Sequence, residues 1–411
     1  MREAFFYIYL LFQFNFLGLM YDDSQSYNLV RLLGGITIIA LILNVNKIKL
    51  KGKFTWIILF LMLYVLLEIL ISSILYSTSI HVMFAFSLGF ATCLAYFLFN
   101  NVEHERLTRR LCWFSTITIT ILTSLYLIFI FTGAEPLIKF SEIPLRMGVQ
   151  RIYVGAYLFP YCFILALSKI IRYSNLKQRI PPLYIITLAL TLFDLFFFIM
   201  TRAYLVILLF VAFVMILVFL KWKPKIYLFI TIAFFILIIG INNIGILKAY
   251  IEFSQDADSD TMSIRYAAMN YYFNQTINGN FITGLGFIKP DSYALRTLLN
   301  GPHEEFYRED VGIWGFFNTF GLIGLLWFIS YILRATQIVM IKFKAKTIYN
   351  NPEFFGILLF FILAQFSTIN IIDYGGIGAL PIISLLLNSN IKKGPNLKQL
   401  IIAKQNASTK I

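Results

Sequence analysis

The sequence predicts an all-α fold, a polytopic integral membrane protein of about 12 transmembrane helices with a large outer loop between helices 9 and 10. Three observations carry this expectation. Of the 411 residues, 59% are hydrophobic and 13% charged, whereas a soluble domain has about 25% charged residues. Apolar runs of about 20 residues, the length that crosses a bilayer, recur from end to end. The charge is also segregated. With the N-terminus taken as cytoplasmic, the inner segments hold most of the 34 Lys and Arg, and the outer segments most of the 20 Asp and Glu, as the positive-inside rule requires. The net charge of +14 is therefore a topology signal, and nucleic acid is not an expected partner.

Taken in order, the spans are expected at about 4–20, 29–45, 54–76, 79–99, 111–132, 152–171, 183–200, 203–220, 226–247, 311–333, 354–372 and 376–388, each an apolar run near bilayer length. The first, Ala4 to Met20, lacks a basic leader and a small-residue cleavage site, so it reads as a retained span. Lys47 to Lys53, then Arg106, Arg109 and Arg110, then Lys221, Lys223 and Lys225 mark successive inner connections. Residues 389–411 form a basic cytoplasmic tail, which puts both termini inside. Residues 1–411 read as one multi-pass domain of a bacterial cytoplasmic membrane. Cys93, Cys112 and Cys162 fall in or at spans without CxxC spacing, and suit small packing residues rather than a disulfide or a metal site. GxxxxGK[ST] is absent, so no nucleotide loop is expected. No internal repeat is visible, which counts against a repeat-built transporter.

Two outer segments break the run of short connections. One is Gly133 to Arg151, "GAEPLIKFSEIPLRMGVQR"; the other is the loop 248–310. A loop of the second kind is functional or disordered, and its Tyr266, Tyr271, Tyr272, Phe273, Phe287 and Phe306 carry too much apolar surface for disorder. Within it "DSDTMSIRYAAMNYYFNQT" predicts a short amphipathic helix. Asp260 or Thr261 would cap it, and Met262, Tyr266, Met269 and Phe273 would form the apolar face, against the membrane surface or the bundle. Asn278-Gly279 suits a turn and Gly284-Leu285-Gly286 a flexible bend. The acidic run Asp256, Asp258, Asp260 fails as a calcium loop, having Thr261 where glycine is needed and Ala267 where the closing Glu belongs, so it reads as a helix-capping turn and no metal is expected.

Outer arginines oppose the charge rule and need another reason: Arg31, Arg146, Arg151, Arg202, Arg265, Arg296 and Arg308. Arg202, in "FFFIMTRAYLVILLF", sits in a tight turn with hydrocarbon on both sides, where a planar guanidinium suits bidentate binding of phosphate oxygens or of lipid headgroups. Arg265 lies in the first turns of the loop helix, beside free amides and the positive dipole end. His303, in "GPHEEFYRED" at the mouth of span ten, has an imidazole able to accept a proton; His104, among inner charges, reads as structural. Glu68 and Asp194 lie within spans three and seven. Charges there are costly, and both are expected as partners of the arginine cluster, with a proton relay as the other reading.

These residues resemble a known family. "SIRYAAMNYYFNQTINGNFITGLGF" followed by "GPHEEFYREDVGIWGFFNTFGLIGLLWF" resembles the large outer loop of the O-antigen polymerase and ligase superfamily of bacterial membrane proteins. "IMTRAYLVILL" is similar to its short Arg-bearing turn, and "LRMGVQRIYVGAYLFPY" to its other Arg-bearing outer loop. The resemblance implies glycosyl transfer among polyprenyl-diphosphate-linked oligosaccharides at the outer face of the inner membrane. Arg265, Arg202, Arg151 and Arg146 would neutralise the departing diphosphate. His303, with Glu304 or Glu305, would take the proton of the acceptor hydroxyl. Arg308 and Arg296 are possible further partners. Neither nucleotide, metal nor other cofactor is implied, and a chain-length regulator is a possible partner. Polymerisation of repeat units is the first expectation; ligation to a lipid A core or protein is the alternative, and a polysaccharide or ion transporter is the reading from another class.

Overall fold

The computed structural model describes residues 2–14, 26–48, 50, 52–100, 102–135, 137–143, 145–146, 149–152, 154–199, 202–221, 263–367 and 374–388. For Arg146 and Arg202 it describes the backbone alone. The expected ninth span, the acidic run with its Thr261 cap, and the basic tail lie outside these residues.

The described chain is helical apart from one two-residue hairpin, Leu145–Arg146 with Val149–Gln150, in which Arg146 faces Val149. In chain order α1 is Arg2–Gln13, α2 Ser26–Ile42, α3 Thr55–Leu75, α4 Ile80–Ser87, α5 Ala95–Phe99, α6 His104–Thr132, α7 Phe159–Asn175, α8 Pro182–Asp194 and α9 Arg202–Phe219. Then come α10 over 263–278, α11 Tyr293–Asn300, α12 Ile313–Lys344, α13 Glu353–Ser367 and α14 Tyr374–Asn388. Among the described residues, four stretches are long and apolar enough to cross a membrane: Thr55–Leu75, His104–Thr132, Pro182–Ile199 and Ile313–Lys344. The chain is thus a helical membrane protein by length and composition, with further apolar helices shorter than a bilayer crossing.

The lipid-facing and packed sides of α3 illustrate the logic. Trp56 and Ile74 are each 80% exposed and Leu63 is 68% exposed, whereas Tyr64, Glu68 and Ser72, spaced by four, are buried. Hydrocarbon side chains can face lipid at no cost, so the polar stripe is the side turned inward. Helices α6, α7 and α8 pack together, α9 lies against α13, and α2 lies against a 3-10 stretch Leu88–Leu94.

Four expected spans differ in form; the one at 152–171 is helical only from Phe159 and runs on to Asn175. The expected span 79–99 is α4, the 3-10 stretch and α5 in succession rather than one α-helix. The helix expected from 111 starts at His104, with a polar first turn in which Glu105 pairs with Arg172 at 2.5 Å. The expected span 311–333 continues to Lys344 and is broken at Gly321, whose φ of 58° and ψ of −158° interrupt the helix.

Away from that break, the starts of α6 and α13 meet the end of α7 in a charge cluster. His104 Nε2 lies 2.8 Å from Glu353 Oε1, Lys169 Nζ 2.8 Å from Glu105 Oε2 and 3.6 Å from Glu353 Oε1. Ser168 donates its hydroxyl to Glu353 Oε2 and accepts the Glu353 N–H at 3.1 Å. The His104 ring stacks on Phe354, and Lys342 of α12 places its ammonium 3.7 Å from that ring's centroid.

Candidate functional site

The Gly284-Leu285-Gly286 segment, expected as a flexible bend, is instead inserted into the break of α12. Where a helix is interrupted, carbonyls of one half and amides of the other lose their partners. The inserted segment supplies both. Leu285 N–H donates to Asn318 O at 2.7 Å and Gly286 N–H to Thr319 O at 2.9 Å, while Phe281 O and Ile282 O accept Leu322 N–H and Ile323 N–H at 2.9 and 3.2 Å. Tyr64 of α3 completes the repair, donating to Phe320 O at 2.7 Å. Gly284 and Gly321 both have positive φ, and a Cβ on either would come within 2.5 Å of the other's amide nitrogen. This close backbone approach is why both positions are glycine.

Over the break sits the unit formed by α10 and α11. Tyr272 donates to Leu299 O at 2.8 Å, Tyr271 to Thr297 O at 2.9 Å and Gln275 to Leu298 O at 3.0 Å, so α10 satisfies the last carbonyls of α11. Asn318 of α12 reaches back to Tyr272 O, Gln275 Oε1 and Thr276 Oγ1 at 3.0 to 3.2 Å. The buried stripe of α10 is therefore Ala268, Tyr272 and Thr276. Of the expected apolar face, Tyr266 is turned outward, 66% exposed, whereas Met269 packs against the buried stripe and Phe273 lies edge-on to Trp314 with ring centroids 5.2 Å apart; Met262 lies outside the described residues. Hydrogen bonding to α11 goes with the deepest stripe, because buried carbonyls left unmet are costly. Arg265 precedes Ala268 and Tyr272 by three and seven residues, so it shares their stripe at the open end of α10, half-buried.

Beneath this unit lies Arg308, 6% exposed. Its Nη1 donates to Gly286 O at 3.0 Å and to Thr319 Oγ1 at 3.3 Å. Its Nε and Nη2 have no hydrogen-bond partner among the described residues. Burial pulls this guanidinium down from its ordinary value and pushes the adjacent Glu309 carboxyl up, as expected for charges withdrawn from water. On the other side of Gly286 is Glu68, fully buried, both of whose oxygens are unpartnered among the described residues; a Cβ at Gly286 would stand 2.9 Å from Glu68 Oε2.

The other expected site residues are distributed around this centre. His303, Glu304 and Glu305 form the turn after α11; His303 and Glu305 are exposed, and Glu304, at φ 57°, pairs with Arg296 at 3.6 Å. Among the described residues no hydrogen bond or ion pair joins His303 to an arginine. Arg151 donates from Nε to Ile199 O at 3.3 Å, and Ile152 N–H bonds Phe198 O at 2.9 Å. The loop after α6 is thereby held against the π-helical turn Leu195–Ile199 that immediately precedes the start of α9 at Arg202. Glu68 and Asp194 are fully buried, and among the described side chains neither has a hydrogen-bond or ion-pair partner, so the expected pairing with arginines is not seen there.

Sequence reasoning ranked Arg308 as an accessory and overlooked Tyr64, Ser72, Tyr76 and Asn318. The four-residue spacing of Tyr64, Glu68, Ser72 and Tyr76 was the available signal for the α3 stripe. Gly321, within "FGLIGLL", gave none, since glycine is ordinary in membrane helices. Among the described residues no group of His, Cys, Asp and Glu is arranged to hold a metal. No known family model matches the chain, and no curated protein is similar to it.

Proposed function

We propose that the protein joins polyprenyl-diphosphate-linked oligosaccharide repeat units at the outer face of a bacterial cytoplasmic membrane, with about twelve spans and both termini cytoplasmic. The observation that carries this reading is Arg308: a buried guanidinium with two unmet donors at the foot of the loop unit, at the mouth of a long apolar helix. An unmet buried guanidinium is complementary to phosphate oxygens, and this position suits a diphosphate whose isoprenoid tail stays in lipid.

In this reading Arg308 receives the diphosphate with Arg265, while Arg151, Arg202 and Arg146 serve the same anion from the neighbouring loop. The acceptor hydroxyl attacks the anomeric carbon, the carbon–oxygen bond to diphosphate breaks, and the electron pair leaves on the diphosphate, whose charge the arginines balance. His303, with Glu305, takes the hydroxyl proton from the exposed turn; Glu304, engaged by Arg296, positions that turn. No cofactor is needed.

The test is deletion of the gene in its host and complementation with wild type, Arg308→Met or His303→Ala, followed by gel analysis of the surface glycan. Loss of the ladder to a single repeat in the deletion and both variants supports the proposal. Accumulation of long lipid-linked chains with none transferred identifies a ligase, and a normal ladder from Arg308→Met refutes the site.

A transporter is the second reading, and the buried, unpartnered Glu68 and Asp194 favour it. It predicts that removing 263–275 leaves function largely intact, which an enzyme would not tolerate.

A further inference from the structure

Tyr64, Glu68, Ser72 and Tyr76 recur every four residues and so lie along one side of α3 and its end. That side meets the segment inserted into α12. Tyr64 donates to Phe320 O at 2.7 Å and Thr283 O at 3.2 Å, Ser72 Oγ accepts Phe287 N–H at 2.9 Å, and Tyr76 donates to Leu285 O at 2.6 Å. Glu68, in the middle of this series, makes no such bond although it is fully buried.

Its neighbours do not provide the missing donor. Tyr64 Oη stands next to the Glu68 carboxyl, but a tyrosine hydroxyl has one proton, and that of Tyr64 is directed at Phe320 O, 2.7 Å away. Arg308, the nearest guanidinium across Gly286, is outside ion-pair distance and is turned to Gly286 O. The backbone adds negative potential: the first half of α12 ends at Phe320, so the carbonyl end of its dipole falls beside the same stripe. An ionised carboxylate without donors in an apolar interior is too costly to persist. Positive charge has to be present at Glu68, and the space for it is small, since a Cβ at Gly286 would already lie 2.2 Å from Ser72 Oγ and 2.9 Å from Glu68 Oε2.

We infer that Glu68 is the anionic wall of a site for a small monovalent cation, a sodium ion or a proton. Tyr64 Oη, Ser72 Oγ and the carbonyls of the inserted segment are the accompanying oxygens. Carbonyls at the ends of broken membrane helices are suited to coordinating such ions. Occupancy would tie the inserted segment to α3, and because Gly286 O also holds Arg308, it would set the position of that guanidinium. The inference stands independently of the glycan chemistry proposed above.

The charged and titratable groups facing Glu68 are few. They are Tyr64 and Tyr76 from α3 and its end, and Arg308 from the turn before α12; residues 281–287 and 315–323 contain no ionisable side chain. The experiment is thermal unfolding of the full chain purified in detergent, in sodium chloride against choline chloride at equal ionic strength, from pH 6 to 9. Parent protein is compared with Glu68→Gln, which mimics a protonated carboxyl, and with Tyr64→Phe, which removes one oxygen but keeps the carboxylate.

A midpoint raised by sodium identifies the ion. A midpoint indifferent to sodium that falls with rising pH identifies the proton, because the folded state then holds a proton the unfolded chain releases. In either case Glu68→Gln should abolish the dependence, the pH series being run in a Glu309→Gln background so that the raised Glu309 carboxyl adds no fall of its own. Tyr64→Phe should raise the half-saturating sodium concentration or displace the pH midpoint, which keeps the test decisive if Glu68→Gln fails to fold. A parent insensitive to both cations, a dependence that survives in Glu68→Gln, or a response unchanged in Tyr64→Phe would overturn the site.

Discussion

Two polar clusters with buried charges lie along α12, one at its break, where Arg308 bonds Thr319, and one near its C-terminal end, where Lys342 stands over the Phe354 ring. At the Glu353 end, each of His104, Lys169, Glu105, Arg172 and Glu353 has an opposite charge within 3.6 Å. At the Arg308 end, Arg308 and Glu68 are buried much as Lys169 and Glu353 are, yet two nitrogens of one and both oxygens of the other are unmet among the described residues. Burial alone therefore does not mark a functional site. A closed set of pairs fastens three helices, whereas charges kept apart across one glycine remain available for something else.

The comparison is broken most severely at the closed end. Glu353→Ala takes from Lys169 one of its two carboxylates and from His104 and Ser168 their shared acceptor, and loss of one member of a buried pair costs about 3–5 kcal/mol. Thermal unfolding in detergent should show a large fall in midpoint, and a midpoint near wild type would mean the cluster is not structural. Next in size is Gly321→Ala. The added Cβ would meet Gly284 N and Ile282 O at 2.4 Å in a left-handed conformation, so overpacking of about 1–3 kcal/mol and backbone strain of about 1 kcal/mol or more are expected. Proteolysis of the loop unit, accelerated in the variant, reads this out.

Smaller effects belong to the open end. Arg308→Met substitutes an apolar chain for a charge with unmet donors, and such replacements are often neutral or stabilising. Its midpoint should stay near wild type while function is lost, the opposite of Glu353→Ala; a fall as large as that of Glu353→Ala would erase the distinction. Glu309→Gln should be the mildest. Burial raises this carboxyl, so its stability contribution is fully present below the unfolded value and is lost as pH rises through the folded one. The variant should therefore equal or slightly exceed wild type at pH 7, with the difference closing on acidification.

Legibility from sequence differed by element. The α10 helix was visible in "MSIRYAAMNYYFNQT", but its deepest residue, Tyr272, was not, because its burial combines a hydroxyl bond to Leu299 O with packing on Val311, both distant in sequence. His303 drew attention by composition, yet stands on an exposed turn; Arg308, five residues on, is the buried one. Nothing local separates them, since burial of Arg308 follows from Gly286 and Thr319 closing over it.

What the sequence determined by itself is the class of molecule. Fifty-nine percent hydrophobic residues in long runs demand a helical membrane protein, because in lipid every backbone group has to be satisfied within its own segment. What only the tertiary structure decided is where that demand is relaxed. A helix can break at Gly321 because residues 281–286, distant in sequence, supply the missing bonds, and the charges beside that break depend on the same long-range fit.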